Sequence, residues 1–287
     1  MSFVIHTDSA CDIRPQVLSK WGVSFSPLTF RFDGSDKEYT EADLPIKEFY
    51  DKMRNGAVAK TSAINIAAFK EAFETILKQG QDILYLAFSS GLSTTCNSAK
   101  IACEELLQEY PERKIIVVDT LAASAGQGLI VKLTVDKKNE GASLEETASY
   151  AQEISPKMAH WFTVDDLVYL KRGGRISAAT ALVGGVLGIK PILHVDDEGH
   201  LIGIGKVRGR KPSLMALAKK YTELAEHPES GTVFLCQGDC KEDAEFVAGL
   251  IQKTHGIKVE LITDIGPVIG AHSGPGTLAI FFIGKER

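Results

Sequence analysis

The 287-residue chain has no run of about 18 apolar residues, the minimum for a membrane-spanning helix. Its first nine residues, Met1 to Ser9, lack both a basic start and a long apolar stretch, so no secretory leader is expected. Cysteine is sparse. Cys11, Cys96, Cys103, Cys236 and Cys240 are odd in number and scattered, which fits a reduced, cytoplasmic protein better than a disulfide framework. Cys236 and Cys240 stand four apart, but no second pair completes a metal site and the histidines are dispersed, so neither a metal nor any other cofactor is expected. There is no Gly-x-x-x-x-Gly-Lys-Ser/Thr loop, and without it nothing in the chain predicts nucleotide turnover by this protein alone. Basic charge is not in excess either: 32 Lys and Arg against 37 Asp and Glu give a net charge of −5, which argues against a general nucleic-acid binder.

What is present is enough for a substantial core: 44% of residues are hydrophobic and 24% charged, the profile of a globular protein of one large or two ordinary domains. The first half alternates strands and helices. Strands are expected at 3–7, 23–32, 82–88 and 114–118. Helices are expected at 12–21, 46–54, 65–79 and 122–136, with another from the 89–93 loop to about Glu109. Ser143-Leu144-Glu145-Glu146 is a capping box opening a helix that ends near Ser155-Pro156. Alternation of this kind predicts a mostly parallel sheet covered on both faces. The second half changes pattern. Strands at 189–195 and 200–207 flank the turn Asp196-Asp197-Glu198-Gly199, further strands are expected at 161–164, 232–236, 258–263 and 277–283, and helices at 213–227 and 241–255. The fold class is therefore α/β. Residues 1–155 form an N-terminal domain with a mostly parallel sheet, and residues 156–287 an α+β domain with a mixed or antiparallel sheet.

Ligands of α/β sheets bind at the carboxyl ends of the strands. Three loops in such positions are rich in hydroxyls: Thr7-Asp8-Ser9, the 89–95 segment and Asp119-Thr120; Lys60-Thr61-Ser62 precedes another helix. Hydroxyls and N–H groups at helix starts suit an anion. Any one of them alone reads more readily as an N-cap, but four in one half point to a shared site. Two basic clusters stand out on an acidic chain, Lys171, Arg172 and Arg175, and Lys206, Arg208, Arg210 and Lys211. They fit either a docking face for an acidic or phosphate-bearing partner or a solvated surface, and Arg172, Arg175, Lys206 and Arg208 are the docking candidates. A hydrolase is the rival reading, with Ser93 as nucleophile, His272 as base and Asp8 or Asp119 orienting the histidine, although the second glycine of a Gly-x-Ser-x-Gly elbow is absent.

Seven segments occur in order along nearly the whole chain: Thr7-Asp8-Ser9, Lys60-Thr61-Ser62, Ser89-Ser90-Gly91-Leu92-Ser93, Asp119-Thr120, the 169–177 stretch around Lys171-Arg172-Gly173-Gly174-Arg175, the 188–193 stretch around Lys190-Pro191, and Ile269-Gly270-Ala271-His272-Ser273-Gly274-Pro275-Gly276. This set resembles the DegV family, the fatty-acid-binding subunits of bacterial fatty acid kinase. The resemblance implies one long-chain fatty acid bound between the domains, its carboxyl held by Thr61 and Ser93, with Ser62 and His272 close by. It implies no catalysis by this chain. A separate ATP-dependent kinase would phosphorylate the presented carboxyl, and the acyl phosphate would feed phospholipid synthesis. Ala63-Ile64 and Thr94-Thr95-Cys96 depart from the Gln-Pro and Gly-Thr-Tyr that the family usually carries there, which leaves chain preference open.

Burying roughly 14–16 methylenes at about 0.8 kcal/mol each would contribute on the order of 11–13 kcal/mol before entropy is charged. Such a ligand needs an apolar tunnel, and the candidates for its wall are Leu182, Val186, Leu187 and Ile192. Neutral hydroxyls would offset burial of the carboxylate while leaving one oxygen free to attack a phosphate, whereas an arginine fork would engage both.

Overall fold

The computed structural model describes residues 2–176 and 188–287. The expected tunnel residues Leu182, Val186 and Leu187 lie outside the described residues.

The first half is built on four parallel strands, β1 (Phe3–Asp8), β2 (Val23–Ser26), β5 (Asp82–Ala87) and β6 (Ile115–Asp119), in the order β2-β1-β5-β6. Every residue of β5 is buried, as a continuous apolar run in a parallel sheet requires. Ile83 and Tyr85 face α3 (Ile66–Leu77) and α4 (Thr95–Glu109), packing with Phe69, Phe73 and Ala99. Leu84 and Leu86 face the other way, toward Leu129 of α5 (Ser124–Asn139) and Ala148 of α6 (Leu144–Ile154). Asn65 caps α3 through the Ala68 N–H, and the reciprocal Ser143–Glu146 capping box opens α6.

The second sheet is mixed, in the order β11-β10-β12-β7-β8-β9. Its strands are β7 (Met158–Thr163), β8 (Ile189–Val195), β9 (Leu201–Arg208), β10 (Phe234–Gln237), β11 (Leu261–Asp264) and β12 (Leu278–Ile283), and only β10 and β11 pair in parallel. One face is covered by α8 (Arg210–Leu224) and α9 (Lys241–His255), with Trp161, Leu217, Val247 and Ile280 at its centre. The opposite face carries Phe162, Leu193, Phe234 and Phe281, which pack in one cluster with Ile5, Leu84 and Leu129 of the first half. Helix α5 thus lies between the two sheets. It is buried almost all round from Ser124 to Val135, and its residues are correspondingly small or apolar rather than amphipathic.

A small third layer pairs β3 (Thr29–Phe32) with β4 (Ala59–Ser62) antiparallel and packs Phe30 against Phe49, Tyr50 and Met53 of α2 (Ile46–Arg54). The expected strand at 23–32 is therefore two strands in different sheets. Pro27, which has no N–H to give a ladder, sits at the break. Lys60-Thr61-Ser62, expected as a loop leading into a helix, is the end of β4. The expected helix at 12–21 is shorter: α1 spans Pro15–Lys20, and Asp12 takes a left-handed conformation at φ 52°. Two short helices were not expected from the pattern, α7 (Val168–Gly173) and α10 (Pro267–Ser273), because one or two turns are too few to display a 3.6-residue period. The expected boundary at Ser155-Pro156 falls in the 3-10 turn Ser155–Lys157 that joins α6 to β7. Among the described residues, no helix is long and apolar enough to cross a membrane.

Candidate functional site

A cavity of about 280 Å³ opens between the two sheets. The first half contributes Leu28, Phe88, Leu92 and Ala123 to its wall, and the second half Phe162, Val195, Val268, Ala279 and Phe281. Phe162, Val195, Ala279 and Phe281 are the inward positions of strands with a two-residue period, whereas Leu28, Phe88, Leu92 and Ala123 come from connecting segments and Val268 from α10. The same rule places Ile192 elsewhere. Leu193 and Val195 look toward the cavity side, so Ile192 looks the other way and packs among Ala159, Trp161 and Leu214 under α8. The expected tunnel role of Ile192 is corrected accordingly.

Polar groups gather where β4, α10, α7 and the loop after β5 meet. Thr61 and His272, 211 residues apart in sequence, join through Oγ1 and Nε2 at 2.8 Å. Ser62, Ser93, Thr94 and Ser273 also line the cavity. Ser93 Oγ accepts the Thr95 N–H at 3.2 Å and lies 2.9 Å from Thr95 Oγ1, so it tethers the start of α4 while facing the cavity. Ser273 is buried, and its Oγ has no hydrogen-bond partner among the described residues. Arg175 crosses the rim. Its Nε donates to the Leu92 carbonyl at 3.2 Å and its Nη1 to the Gly173 carbonyl.

Burial, with a smaller contribution from the Arg175 charge, pulls the His272 pKa down to about 4, so the ring is neutral at pH 7. Its Nδ1 is buried without a hydrogen-bond partner among the described residues. A bare acceptor is cheaper to bury than an orphaned N–H donor, which favours the tautomer with the proton on Nε2. In that form His272 donates to Thr61 and leaves the Thr61 proton free for a ligand. Gly173 makes the arrangement possible, since a Cβ there would run into His272 Nδ1 and part α7 from α10. The apolar volume thus ends in neutral hydroxyl donors beside one guanidinium already engaged with two backbone carbonyls.

A family model described as an uncharacterised protein of the DegV family matches residues 2–285. This chain belongs to the DegV family. A DegV domain-containing protein of Clostridium perfringens is 45% identical over 286 residues, covering 99% of this chain and 98% of the relative. Among solved structures, a fatty-acid (stearic acid)-binding protein from Eubacterium ventriosum superposes with a TM-score of 0.89 at 28% identity, over 99% of this chain and 98% of that one. A DegV family protein from Thermus thermophilus, described for its fatty-acid binding, superposes with a TM-score of 0.88 at 30% identity, over 99% and 100% of the two chains.

In this DegV protein the groups of the rival hydrolase reading are not arranged as a triad. The Nε2 of His272 is taken by Thr61 rather than Ser93. Asp8 is committed to Tyr85 Oη at 2.7 Å and to the N–H groups of Phe88 and Ala10, and Asp119 to those of Ser90 and Leu121. Neither carboxylate orients the histidine. The docking candidates divide as well. Arg172 is exposed with its guanidinium over the Tyr169 ring at 5.8 Å, and Lys206 and Arg208 are exposed on the edge strand β9. Arg175 is exposed as well, and alone of the four it also lines the cavity.

The DegV sequence pattern did not single out Ser273, Ser124 or His160, all of which line the cavity. Ser273 could have been found as the neighbour of His272. Ser124 carries no such signal, because its hydroxyl looks inward only through a left-handed φ of 55° at the start of α5, where it donates to the Asp12 carboxylate and lies 3.0 Å from Cys236 Sγ.

Proposed function

We propose that this protein binds one long-chain fatty acid, with the acyl chain in the cavity between the sheets and the carboxyl group at Thr61, Ser93 and His272. The observation that carries this reading is a cavity walled by Phe, Leu, Val and Ala side chains that ends at the 2.8 Å Thr61–His272 pair. A charged group cannot be buried without donors. An alkyl chain with a single anionic end meets both requirements of such a site, whereas a wholly polar ligand leaves the apolar wall unmatched. The relatives described as binding stearic acid or fatty acids over essentially the same length support it.

The protein acts as a binding subunit and not as the enzyme. It presents the carboxyl to a separate ATP-dependent kinase in the cytoplasm, which converts it to an acyl phosphate, and Arg172, Lys206 and Arg208 supply the docking charge. Hydroxyl donors fit that task, with the His272 imidazole orienting Thr61, because they hold the carboxyl group and leave an oxygen lone pair available to attack phosphorus. Arg175, with its guanidinium tied to Leu92 and Gly173, contributes field rather than a two-pronged grip.

The test is mass spectrometry of an organic extract of the purified, denatured protein, together with the intact mass under native conditions. One long-chain acid per chain is expected. A protein that carries no lipid and fails to take up stearic acid when it is supplied overturns the reading.

A further inference from the structure

We propose that Thr95, which does not itself line the cavity, is a positioning residue that turns the Ser93 hydroxyl proton toward the bound carboxylate. This inference rests on the fatty-acid reading of the cavity and assigns a further residue to its polar end.

Thr95 is the first residue of α4 and is 0% exposed. Its Oγ1 lies 2.9 Å from Ser93 Oγ and has no other hydrogen-bond partner among the described residues. A buried hydroxyl proton left without an acceptor is costly, so Thr95 donates and Ser93 accepts. The opposite direction would spend the Ser93 proton on Thr95 and leave the Thr95 proton unpaired. Ser93 Oγ also accepts the Thr95 N–H at 3.2 Å. A hydroxyl oxygen has two acceptor positions, and Thr95 occupies both. What Ser93 retains is its own proton. Ser93 is half-buried and lines the cavity, so that proton is directed into it.

The placement of Ser93 does not depend on the Thr95 hydroxyl. The N–H groups of Leu92 and Ser93 each donate to the Ser89 carbonyl at 3.1 Å, and the Leu92 carbonyl accepts Arg175 Nε at 3.2 Å. Ser89 is held in turn by the second half, its Oγ donating to the Gly199 carbonyl at 3.0 Å. The loop is pinned through its backbone, and Thr95 decides the direction of one proton. The pairing parallels that of Thr61 with His272. In each, a cavity hydroxyl accepts from a group behind it and is left as a donor in front. Hydrogen bonds in series polarise one another, so donation from Thr95 also strengthens Ser93 as a donor. A head group that meets two such hydroxyls must accept, which a carboxylate does and an ammonium group cannot. The same occupancy leaves Ser93 without a free lone pair for attack on an ester.

The experiment measures stearic acid affinity, by displacement of a fluorescent fatty acid, for the wild type, Thr95→Val, Thr95→Ser, Ser93→Ala and the double variant Ser93→Ala/Thr95→Val. Thr95→Val should weaken binding roughly three- to tenfold, the range for one neutral hydrogen bond, and Thr95→Ser, which keeps the hydroxyl, should bind within about twofold of the wild type. In the Ser93→Ala background, Thr95→Val should move the affinity by less than about twofold, because Thr95 acts through Ser93. An equal loss with and without Ser93, no loss in Thr95→Val, or no recovery in Thr95→Ser overturns the inference and leaves the fatty-acid reading intact. Failure of the wild type to bind stearic acid overturns both. If Thr95→Val does not fold, neutron diffraction from the wild type decides: a deuteron on Thr95 Oγ1 pointing at Ser93 Oγ supports the inference, and a deuteron on Ser93 Oγ pointing at Thr95 overturns it.

Discussion

Replacing Thr61 by valine keeps the shape of the side chain and deletes only the hydroxyl. In the unliganded protein it removes the 2.8 Å hydrogen bond to His272. In the fatty-acid complex proposed above it also removes a donor to the carboxylate and the neighbour that orients it. A hydrogen bond to a charged group contributes about 1.5–3 kcal/mol, equivalent to a roughly ten- to hundredfold rise in Kd. The acyl chain supplies most of the binding energy, so affinity should fall but survive. The assay is displacement of a fluorescent fatty acid, run in parallel with the alcohol of equal chain length. The alcohol has no charge for Thr61 to satisfy, so Thr61→Val should affect it much less. His272→Gln combined with Thr61→Val should cost less than the sum of the two single changes, because the imidazole acts through Thr61. Equal losses for acid and alcohol, or a change in acid affinity below twofold, would refute the assignment of the carboxylate to this pair.

His272→Asn should flatten the acid side of the stability profile. The ring titrates near pH 4 in the folded protein against 6.5 ordinarily, so between those values the unfolded chain binds the proton first and stability falls as pH drops. This contribution is at most about 3 kcal/mol, and urea titrations from pH 7 to pH 4 would show it. His6, which burial holds at about 3, keeps part of the slope in the variant. Gly173→Ala should cost about 1–3 kcal/mol by driving a methyl into His272, read as a lowered urea midpoint with fatty-acid binding weakened as well. Charge reversal at the exposed Arg172 or Arg208 should slow phosphorylation of the bound acid by a partner kinase and leave fatty-acid affinity unchanged; equal loss of both would remove them as docking residues.

Several elements were readable before folding because their causes are local. The capping box at Ser143 and Glu146, the Asn65 cap and the buried run of β5 depend on neighbouring residues alone. The hydroxyls of Thr61 and Ser93 stood out for the same reason, and the cavity receives both. What escaped depends on tertiary placement. Arg172 and Arg175 are three apart in one basic cluster and both exposed, and only tertiary placement brings Arg175 and not Arg172 to the cavity rim. Ile192 belongs to a strand buried on both faces, where alternation separates two sides without saying which one meets the cavity. His160 lies in a fully buried strand, and nothing in its neighbours marks it as a cavity residue.

The buried helix α5 bears on how cargo gets in. Because both sheets press on it, swinging them apart would strip packing from Leu129, Ile130 and Val131 at once, so a clamshell opening is energetically closed to this fold. At the polar end, two short helices, α7 and α10, touch each other through Gly173 and His272. For the lipid proposed above, entry past these two helices would leave both sheets in place, whereas parting the walls would not.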